Sequence, residues 1–236
     1  MDPRAKLRRG TNRIQSRMPH PKSTVADELS LGIETADDGL VAVGGTLAPD
    51  NLEKAYRMGI FPWSSEPAVT WWCPDPRAIF DLDSFRASRS LRKSIRQSGW
   101  TFHFDRDFEG TMRRCAESTE ARPSTWISED FISSYSELHR RGVAHSVEVC
   151  DGEEAVGGLY GVAFGGFFGG ESMFTRQSNA SKAALAHLIA HLRDRGFALL
   201  DAQVMNPHLA SLGARDIPRA EFLRRLRKAL ALKVVF

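Results

Sequence analysis

Two polar residues in a predicted strand have the types and the spacing that chemistry needs. Asp201 and Gln203 stand two positions apart in the strand predicted over 199–204, so both side chains point to one face. An aspartate there can hold a glutamine amide in one orientation, which leaves the glutamine carbonyl free to accept a proton-bearing group. Polar groups in a buried strand are costly unless they are paired or functional. The pair is therefore a candidate catalytic site, and a strand end that faces water is the alternative.

A second carboxylate, Glu171, lies in the apolar strand predicted over 167–174, directly after Gly169 and Gly170. Glycine weakens a strand, so paired glycines indicate a bulge or the close approach of a ligand or another backbone. Period-2 alternation predicts that Glu171 and Met173 share a face. An acid beside a methionine suits a pocket with an apolar floor and one polar anchor. We predict a binding cleft here, with a surface glutamate as the alternative.

Two further groups of side chains could contact a nucleic acid. The helix predicted over 88–97 carries four basic residues along one face, which suits a phosphate backbone, although a solvated face is the alternative. Tryptophans usually belong to a core, but they can also stack on a nucleotide base. The basic residues are Arg89, Arg92, Lys93 and Arg96, and the tryptophans are Trp63, Trp71, Trp72 and Trp126.

The composition is that of an ordinary globular protein. The chain has 236 residues, of which 42% are hydrophobic and 26% charged, and its net charge is +3. Residues 1–22 hold seven basic side chains and one acid, so the remainder carries a net charge of −3. Any RNA contact of the body must therefore come from local clusters. The basic stretch itself is predicted to be a mobile arm, with weak steering of RNA as the alternative.

The cysteines and the hydrophobic pattern indicate where the protein works. Cys73, Cys115 and Cys150 are scattered and odd in number, which argues against a disulfide framework and for a reducing compartment. Their spacing predicts no zinc site. No apolar run approaches the roughly 18 residues of a membrane span, and the N-terminus lacks the apolar core of a signal peptide. We expect a soluble, cytoplasmic protein that does not contact membranes.

The pattern of elements predicts an α/β (α+β) fold in three parts. These parts are a mobile basic arm over 1–27, a small N-terminal α/β domain over 28–76 and a larger domain over 77–236. In the larger domain helices come first, then meandering strands around a turn at Gly165–Gly166, a central helix over 180–195, another strand and a last helix. This order suggests packed α/β layers. It is also the element order of the acetyltransferase (GNAT) fold.

The segment before the central helix argues against a coenzyme A donor. Members of that fold that use acetyl-CoA cradle its pyrophosphate with a glycine-rich loop at the helix N-terminus. The matching stretch here, 175–182, contains no glycine, and no Walker A loop occurs elsewhere. We therefore expect no cofactor and no metal.

Many short blocks, in order from Gly39 to Phe222, closely resemble the leucyl/phenylalanyl-tRNA–protein transferase family. Departures from the family pattern are small, with Cys73 where serine is usual and Ser64 where an aromatic residue is common. The matching blocks include Gly39–Gly45, Tyr56–Trp63, Trp71–Arg77, Ser88–Leu91, Thr125–Ile127, Ala144–Glu148, Gly157–Gly161, Gly170–Phe174, Asn179–Lys182, Asp201–Gln203 and Ser211–Ala214.

The resemblance implies an aminoacyltransferase of the bacterial N-end rule. Such an enzyme moves Leu or Phe, and less well Met, from aminoacyl-tRNA to the α-amino group of proteins with N-terminal Arg or Lys, which marks them for degradation. The implied fold is a small N-terminal domain followed by a GNAT-like domain. The implied partners are Leu-tRNA, Phe-tRNA and those proteins, and nothing in the sequence demands an oligomer, so a monomer is expected.

The resemblance also implies a role for each candidate residue. The implied catalytic residues are Asp201, Gln203 and Glu171. Asp201 would orient Gln203, whose carbonyl would accept a hydrogen bond from the attacking amine. Glu171 would lie near the donor, where the alternatives are that it takes protons or that it only positions the donor. Trp63 and Trp126 would flank the terminal adenosine, and the basic stripe would contact tRNA. The implied pocket for the leucyl or phenylalanyl side chain consists of Leu159, Phe168, Gly170 and Met173.

Two other functions remain as alternatives at this point. A small-molecule N-acyltransferase would need saturable binding of coenzyme A, against which the missing glycine loop argues. A non-catalytic RNA-binding protein would bind tRNA in a salt-dependent way without transferring an amino acid.

Overall fold

A computed structural model describes residues 38–118 and 123–236. The predicted mobile arm over 1–27, and the first part of the predicted small domain, lie outside the described residues. A three-stranded and a seven-stranded sheet together with helices make up the described part of the chain.

The smaller sheet is antiparallel, in the order β1-β3-β2, and contains strands from the N-terminal part of the chain. The helix between β1 and β2 buries Leu52, Ala55 and Tyr56, whose spacing of three and one places them on one helical face. It ends at Arg57, and two residues later Gly59 has a φ of +81°, where a Cβ would lie 2.7 Å from Leu223 Cδ2. The elements are β1 (Leu40–Val43), α1 (Pro49–Arg57), β2 (Phe61–Ser64) and β3 (Thr70–Trp72).

The larger sheet has the order β10-β4-β9-β8-β7-β6-β5, and β8 and β9 are its one parallel pair. Its strands are β4 (Arg77–Phe80), β5 (Thr101–Phe104), β6 (Ala144–Asp151), β7 (Glu154–Phe164), β8 (Phe167–Thr175), β9 (Leu199–Gln203) and β10 (Arg215–Ile217). The helices around it are α2 (Arg89–Ser98), α3 (Phe108–Ala116), α4 (Glu129–Arg140), α5 (Ala180–Asp194), α6 (Pro207–Ser211) and α7 (Arg219–Leu230).

The predicted mixed α/β fold is confirmed, and the helices and meandering strands of the larger predicted domain follow the predicted order. The turn at Gly165–Gly166 joins β7 to β8 as predicted, and Gly165 has a φ of +55°. The sequence predicted no strand at β2, β4 or β10, which are only three or four residues long. All four residues of β4 are buried, so it shows no alternation of apolar and polar side chains.

The predicted boundary between residues 76 and 77 stays a prediction, although the strands of the smaller sheet precede it and those of the larger sheet follow it.

Two apolar cores lie on the two sides of the larger sheet. The first core contains Tyr56 of α1, Tyr135 of α4 and Phe222 of α7. The second core contains Phe168 of β8 together with buried residues of α5 such as Leu188. This division decides what surrounds each candidate residue, because adjacent residues of a strand face different cores.

Candidate active site

β8 and β9 separate next to the candidate residues. Their parallel pairing ends where Gly169 lies opposite Asp201, and no further pair joins the two strands beyond this point. Gly170 comes next in β8, and a Cβ built on it would meet only the carbonyl oxygen of Asp201, at 3.3 Å. The divergence therefore leaves an opening between two central strands that a bulkier residue at 170 would narrow.

A shift in register makes Glu171 the extra residue of β8. Tyr160 of β7 lies opposite Ser172, whereas Gly161 lies opposite Gly170, so Glu171 has no partner in β7. A bulge of this kind redirects a side chain and is common next to active sites. The prediction that Glu171 and Met173 share a face is wrong for this reason. Met173 packs against the second core, whereas Glu171 reaches Tyr56 of the first core.

The Glu171 carboxyl group is the centre of a hydrogen-bonded chain. Its Oε1 atom accepts hydrogen bonds from the Tyr56 hydroxyl at 2.7 Å and from Gln203 Nε2 at 2.9 Å. The Tyr56 hydroxyl is also hydrogen-bonded to the hydroxyl of Tyr135. Because an ionised carboxylate can only accept, the amide nitrogen of Gln203 faces it and the amide oxygen remains available. The second carboxyl oxygen, Oε2, is buried and has no partner among the described residues.

Burial is the largest influence on the pKa values of Glu171, Tyr56 and Tyr135. Desolvation raises the pKa of Glu171 to about 7, against the lowering effect of the hydrogen bonds from Tyr56 and Gln203. Burial, and then the negative charge of Glu171, also raise the pKa of Tyr56 and Tyr135 well above the usual value. The two tyrosines therefore remain protonated donors while Glu171 changes its charge near neutral pH.

Asp201 is held by a buried ion pair with Arg77. Both side chains are only 1% exposed, and Arg77 donates from Nε to Oδ1 at 2.8 Å and from a terminal nitrogen to Oδ2 at 2.6 Å. A further nitrogen of Arg77 donates to the carbonyl of Gly59 at 3.1 Å. Two parallel bonds of a planar guanidinium fix the carboxylate more firmly than a single contact does. Asp201 therefore has one orientation.

Asp201 orients the backbone of Gln203 rather than its side-chain amide. The backbone N–H of Gln203 donates to Oδ1 of Asp201 at 2.9 Å, and Gln203 adopts a φ of +64°. This left-handed conformation is uncommon for residues other than glycine and is kept where the surroundings enforce it. The structure thus brings Asp201, Gln203 and Glu171 together, and Glu171, not Asp201, holds the amide of Gln203.

Three residues of this cluster were not predicted as site residues. Arg77 lies between two aromatic rings, with its guanidinium carbon 4.7 Å from the ring centre of Phe61 and 4.3 Å from that of Phe222. Burial disfavours its charge, but the charge and hydrogen bonds of Asp201 outweigh this effect and raise its pKa. The other two are Tyr56 and Tyr135. The sequence signal that could have identified the two tyrosines is a tyrosine on an apolar helix face. A buried tyrosine hydroxyl there needs a hydrogen-bond partner.

The apolar residues predicted to line the pocket for the aminoacyl side chain lie on the other side of the sheet from Glu171. Leu159 and Phe168 are buried in the second core, and the half-buried Met173 packs against it. Gly170 lies at the opening between β8 and β9, between this apolar group and the polar cluster.

The two tryptophans predicted at the adenosine are both half-buried and pack against the first core. Trp63 lies edge-on to Trp72 with a centroid separation of 5.3 Å, and Trp126 lies edge-on to Phe131 at 5.0 Å. The segments that follow them meet, since Ser65 Oγ and Ser128 Oγ are hydrogen-bonded at 2.9 Å.

The basic stripe is exposed on α2. Its helix begins after Ser88, whose side chain accepts a hydrogen bond from Leu91 N, and Leu91 is the buried residue of the opposite face. Among residues 38–118 and 123–236, no ion pair involves Arg89, Arg92, Lys93 or Arg96.

The described residues form no cluster of side chains that could hold a metal ion. Within the same part of the chain, no helix combines the length and the apolar character that crossing a bilayer requires.

The ion pair predicts a large loss of stability when one partner is removed. Arg77→Met would leave the Asp201 carboxylate buried without its guanidinium, so the free energy of unfolding should fall by about 3–5 kcal/mol. The double variant Arg77→Met/Asp201→Leu should recover part of that loss in urea unfolding. Arg113→Met, which breaks an exposed pair with Glu109, is the control and should change stability little. Equal losses of unfolding free energy in Arg77→Met and Arg113→Met would contradict a stabilising role of the buried ion pair between Arg77 and Asp201.

The raised pKa of Glu171 predicts a stability difference that depends on pH. The folded state binds this proton more tightly than the unfolded state, so the proton's contribution is present below about pH 4.5 and is lost as pH rises to about 7. Relative to the wild type, Glu171→Gln should therefore gain about 1–3 kcal/mol of unfolding free energy across this window. Unfolding curves measured from pH 4 to pH 8 test this, and a difference that does not vary with pH would refute it.

Two solved structures have a remote likeness to the chain. "The structure of L-PGS from Bacillus licheniformis" has a TM-score of 0.41 and 17% sequence identity, and covers 68% of this chain and 54% of that one. A tandem GNAT protein from the clavulanic acid biosynthesis pathway has a TM-score of 0.36 and 14% identity, and covers 78% and 60%.

Sequence comparisons are much closer. A transferase of Shewanella frigidimarina, named leucyl/phenylalanyl-tRNA–protein transferase, is 51% identical over 195 residues, which are 82% of this chain and 83% of that protein. Transferases of the same name from Xanthomonas euvesicatoria and Shewanella sediminis are 50% and 46% identical over 84% and 92% of this chain, and over 80% and 89% of their own lengths.

Family-level matches cover most of the described part of the chain. Residues 45–75 match the leucyl/phenylalanyl-tRNA protein transferase N-terminal domain, and residues 79–227 match the leucyl/phenylalanyl-tRNA protein transferase family. With about half of its residues identical to those of named members over most of its length, the chain belongs to the leucyl/phenylalanyl-tRNA–protein transferase family.

Proposed function

We propose that this protein moves Leu or Phe, and less well Met, from aminoacyl-tRNA to the α-amino group of proteins with N-terminal Arg or Lys. The transfer marks those proteins for N-end-rule degradation in the cytoplasm. The observation that carries the proposal is the linked cluster of Asp201, Gln203 and Glu171 beside the opening between β8 and β9, in a chain of this family.

The donor would lie across the opening. Its terminal adenosine would be flanked by Trp63 and Trp126, which present half-buried indole rings. Its leucyl or phenylalanyl side chain would pass Gly170, where no side chain obstructs the gap, and enter the second core beside Leu159 and Phe168. Met173 would complete that pocket. The hydrophobic contact would select apolar amino acids, and the polar groups of the donor would remain on the side of Glu171.

The reaction would need positioning more than activation, because the aminoacyl ester is already reactive. The amine of the acceptor would attack the ester carbonyl, so that the new C–N bond forms and the bond to the ribose oxygen breaks. The Oε1 atom of Gln203 would accept a hydrogen bond from the attacking amine, and the amine proton would end on the ribose oxygen that leaves. Glu171 would hold the amide by accepting from its Nε2 atom at 2.9 Å.

The basic stripe of α2 would bind the tRNA backbone. Its four cations are exposed, and Leu91 anchors the opposite helix face. The body of the chain carries a net negative charge, so a local patch of this kind would have to supply the attraction to phosphate.

Removal of the Gln203 amide should abolish transfer. Gln203→Ala should reduce kcat for Leu transfer from Leu-tRNA to an Arg-starting peptide by at least about a hundredfold, as loss of a positioned polar group in an active site typically does. Mass spectrometry of the peptide product measures this, with a Met-starting peptide as the negative acceptor. Thermal unfolding provides the control, because Gln203 is partly exposed and the variant should remain folded. Normal transfer by a folded variant would overturn the role of Gln203.

Neutralising the stripe should weaken tRNA binding. The variant with Gln at 89, 92, 93 and 96 should raise KM for Leu-tRNA with little change in kcat. The slope of log KM against log salt should fall by about 0.7–0.9 for each phosphate group that the variant no longer neutralises. The control has Gln at Arg227 and Lys228, which are exposed on α7, and removes two positive charges instead of four. An equal change in salt dependence per charge removed in both variants would mean that α2 has no special role.

A further inference from the structure

The segment that follows α7 crosses the turn between β7 and β8. The backbone N–H of Gly166 donates to the carbonyl of Ala229 at 2.8 Å, and that of Leu232 donates to the same carbonyl at 3.1 Å. A Cβ on Gly165 would lie 2.9 Å from the carbonyl oxygen of Leu232. The bare glycine turn thus makes room for this segment and directs it toward the second core.

Phe236 ends this segment inside a group of rings. Its ring stacks on His145 with a centroid separation of 4.2 Å, and lies 4.6 Å from His191 and 5.5 Å from Phe168. Phe104 lies edge-on at 5.4 Å. Phe236 is half-buried, whereas its neighbour Val235 is 77% exposed. One aromatic side chain therefore packs against the edge of the second core behind Phe168.

Phe168 packs against Phe236 and against β7 at Gly161. It is fully buried, and its ring lies so close to Gly161 that a Cβ there would be 2.8 Å from Phe168 Cζ. The ring cannot move toward β7, because the backbone of β7 is already in contact. Phe236 lies 5.5 Å from it, at an interplanar angle of 30°. Phe236 is thus one of the groups that pack against the Phe168 ring.

We propose that Phe236 sets the depth of the aminoacyl side-chain pocket by holding Phe168 in place, and so determines the preference between leucyl and phenylalanyl donors. The inference rests on the proposed function, in which Phe168 lines that pocket. Phe236 is a positioning residue, since it acts through Phe168 and does not touch the donor. Truncation of Phe236 leaves a void into which Phe168 can retreat, and a deeper pocket accommodates the larger phenylalanyl group.

The test is the ratio of kcat/KM for Phe-tRNA to kcat/KM for Leu-tRNA, measured on the full chain with one Arg-starting peptide. Phe236→Ala should raise this ratio by at least about threefold, because small changes in the volume of an apolar pocket are worth roughly tenfold or more in discrimination. Phe236→Trp should lower it. Val235→Ala is the matched control and should leave the ratio unchanged.

Other outcomes overturn the proposal in recognisable ways. If Phe236→Ala lowers the melting temperature and both kcat/KM values in proportion, the ring is merely structural and the proposal fails. Should the alanine variant not fold, Phe236→Leu replaces it, and an unchanged ratio again refutes the proposal. If the wild type transfers neither amino acid, the proposed function itself has failed, which is distinct from an unchanged ratio in an active enzyme.

Discussion

Arg77 and Asp201 form a buried ion pair on which the geometry of the cluster depends. The pair joins β4 to β9, and the third hydrogen bond of Arg77 reaches the carbonyl of Gly59, two residues after α1 ends. A buried pair is seldom kept for stability alone, because desolvation offsets most of the attraction. Here it fixes the carboxylate that receives the backbone N–H of Gln203. The left-handed backbone of Gln203 is thereby maintained, and its amide is directed toward Glu171.

The polar cluster around Glu171 and the apolar residues around Phe168 lie on opposite sides of the larger sheet. On the side of the first core, the Glu171 carboxyl group binds Tyr56 and Gln203, so this side offers donors and acceptors. On the side of the second core, apolar side chains of α5 and of the strands pack around Phe168. The pairing of β8 with β9 ends at Gly169 and Asp201, next to both groups of side chains. An aminoacyl ester has one polar end and one apolar end, and in the proposed complex each end meets the side that suits it.

Glu171 shows how burial and hydrogen bonding compete in this site. Desolvation alone favours the neutral acid, whereas Tyr56 and Gln203 both donate to one oxygen and favour the anion. The outcome is a pKa of about 7, at which both forms are populated near neutral pH. The Oε2 atom is buried without a partner among the described residues, so it can still accept a hydrogen bond. Because both forms are populated, Glu171 can accept hydrogen bonds as the anion or donate one as the neutral acid.

The sequence by itself determined the long elements, the mixed α/β class and the candidate residues Asp201, Gln203 and Glu171, because periodicity and polar interruptions are local signals. It did not reveal Arg77, Tyr56 or Tyr135 as members of the cluster, since their partners stand as far as 124 positions away. It also placed Glu171 on the face of Met173, which the register shift in β8 reversed. Short strands such as β4 form only through pairing with distant segments. Tertiary structure decided these points, since hydrogen-bond partners and register are properties of contacts between segments and not of any one segment.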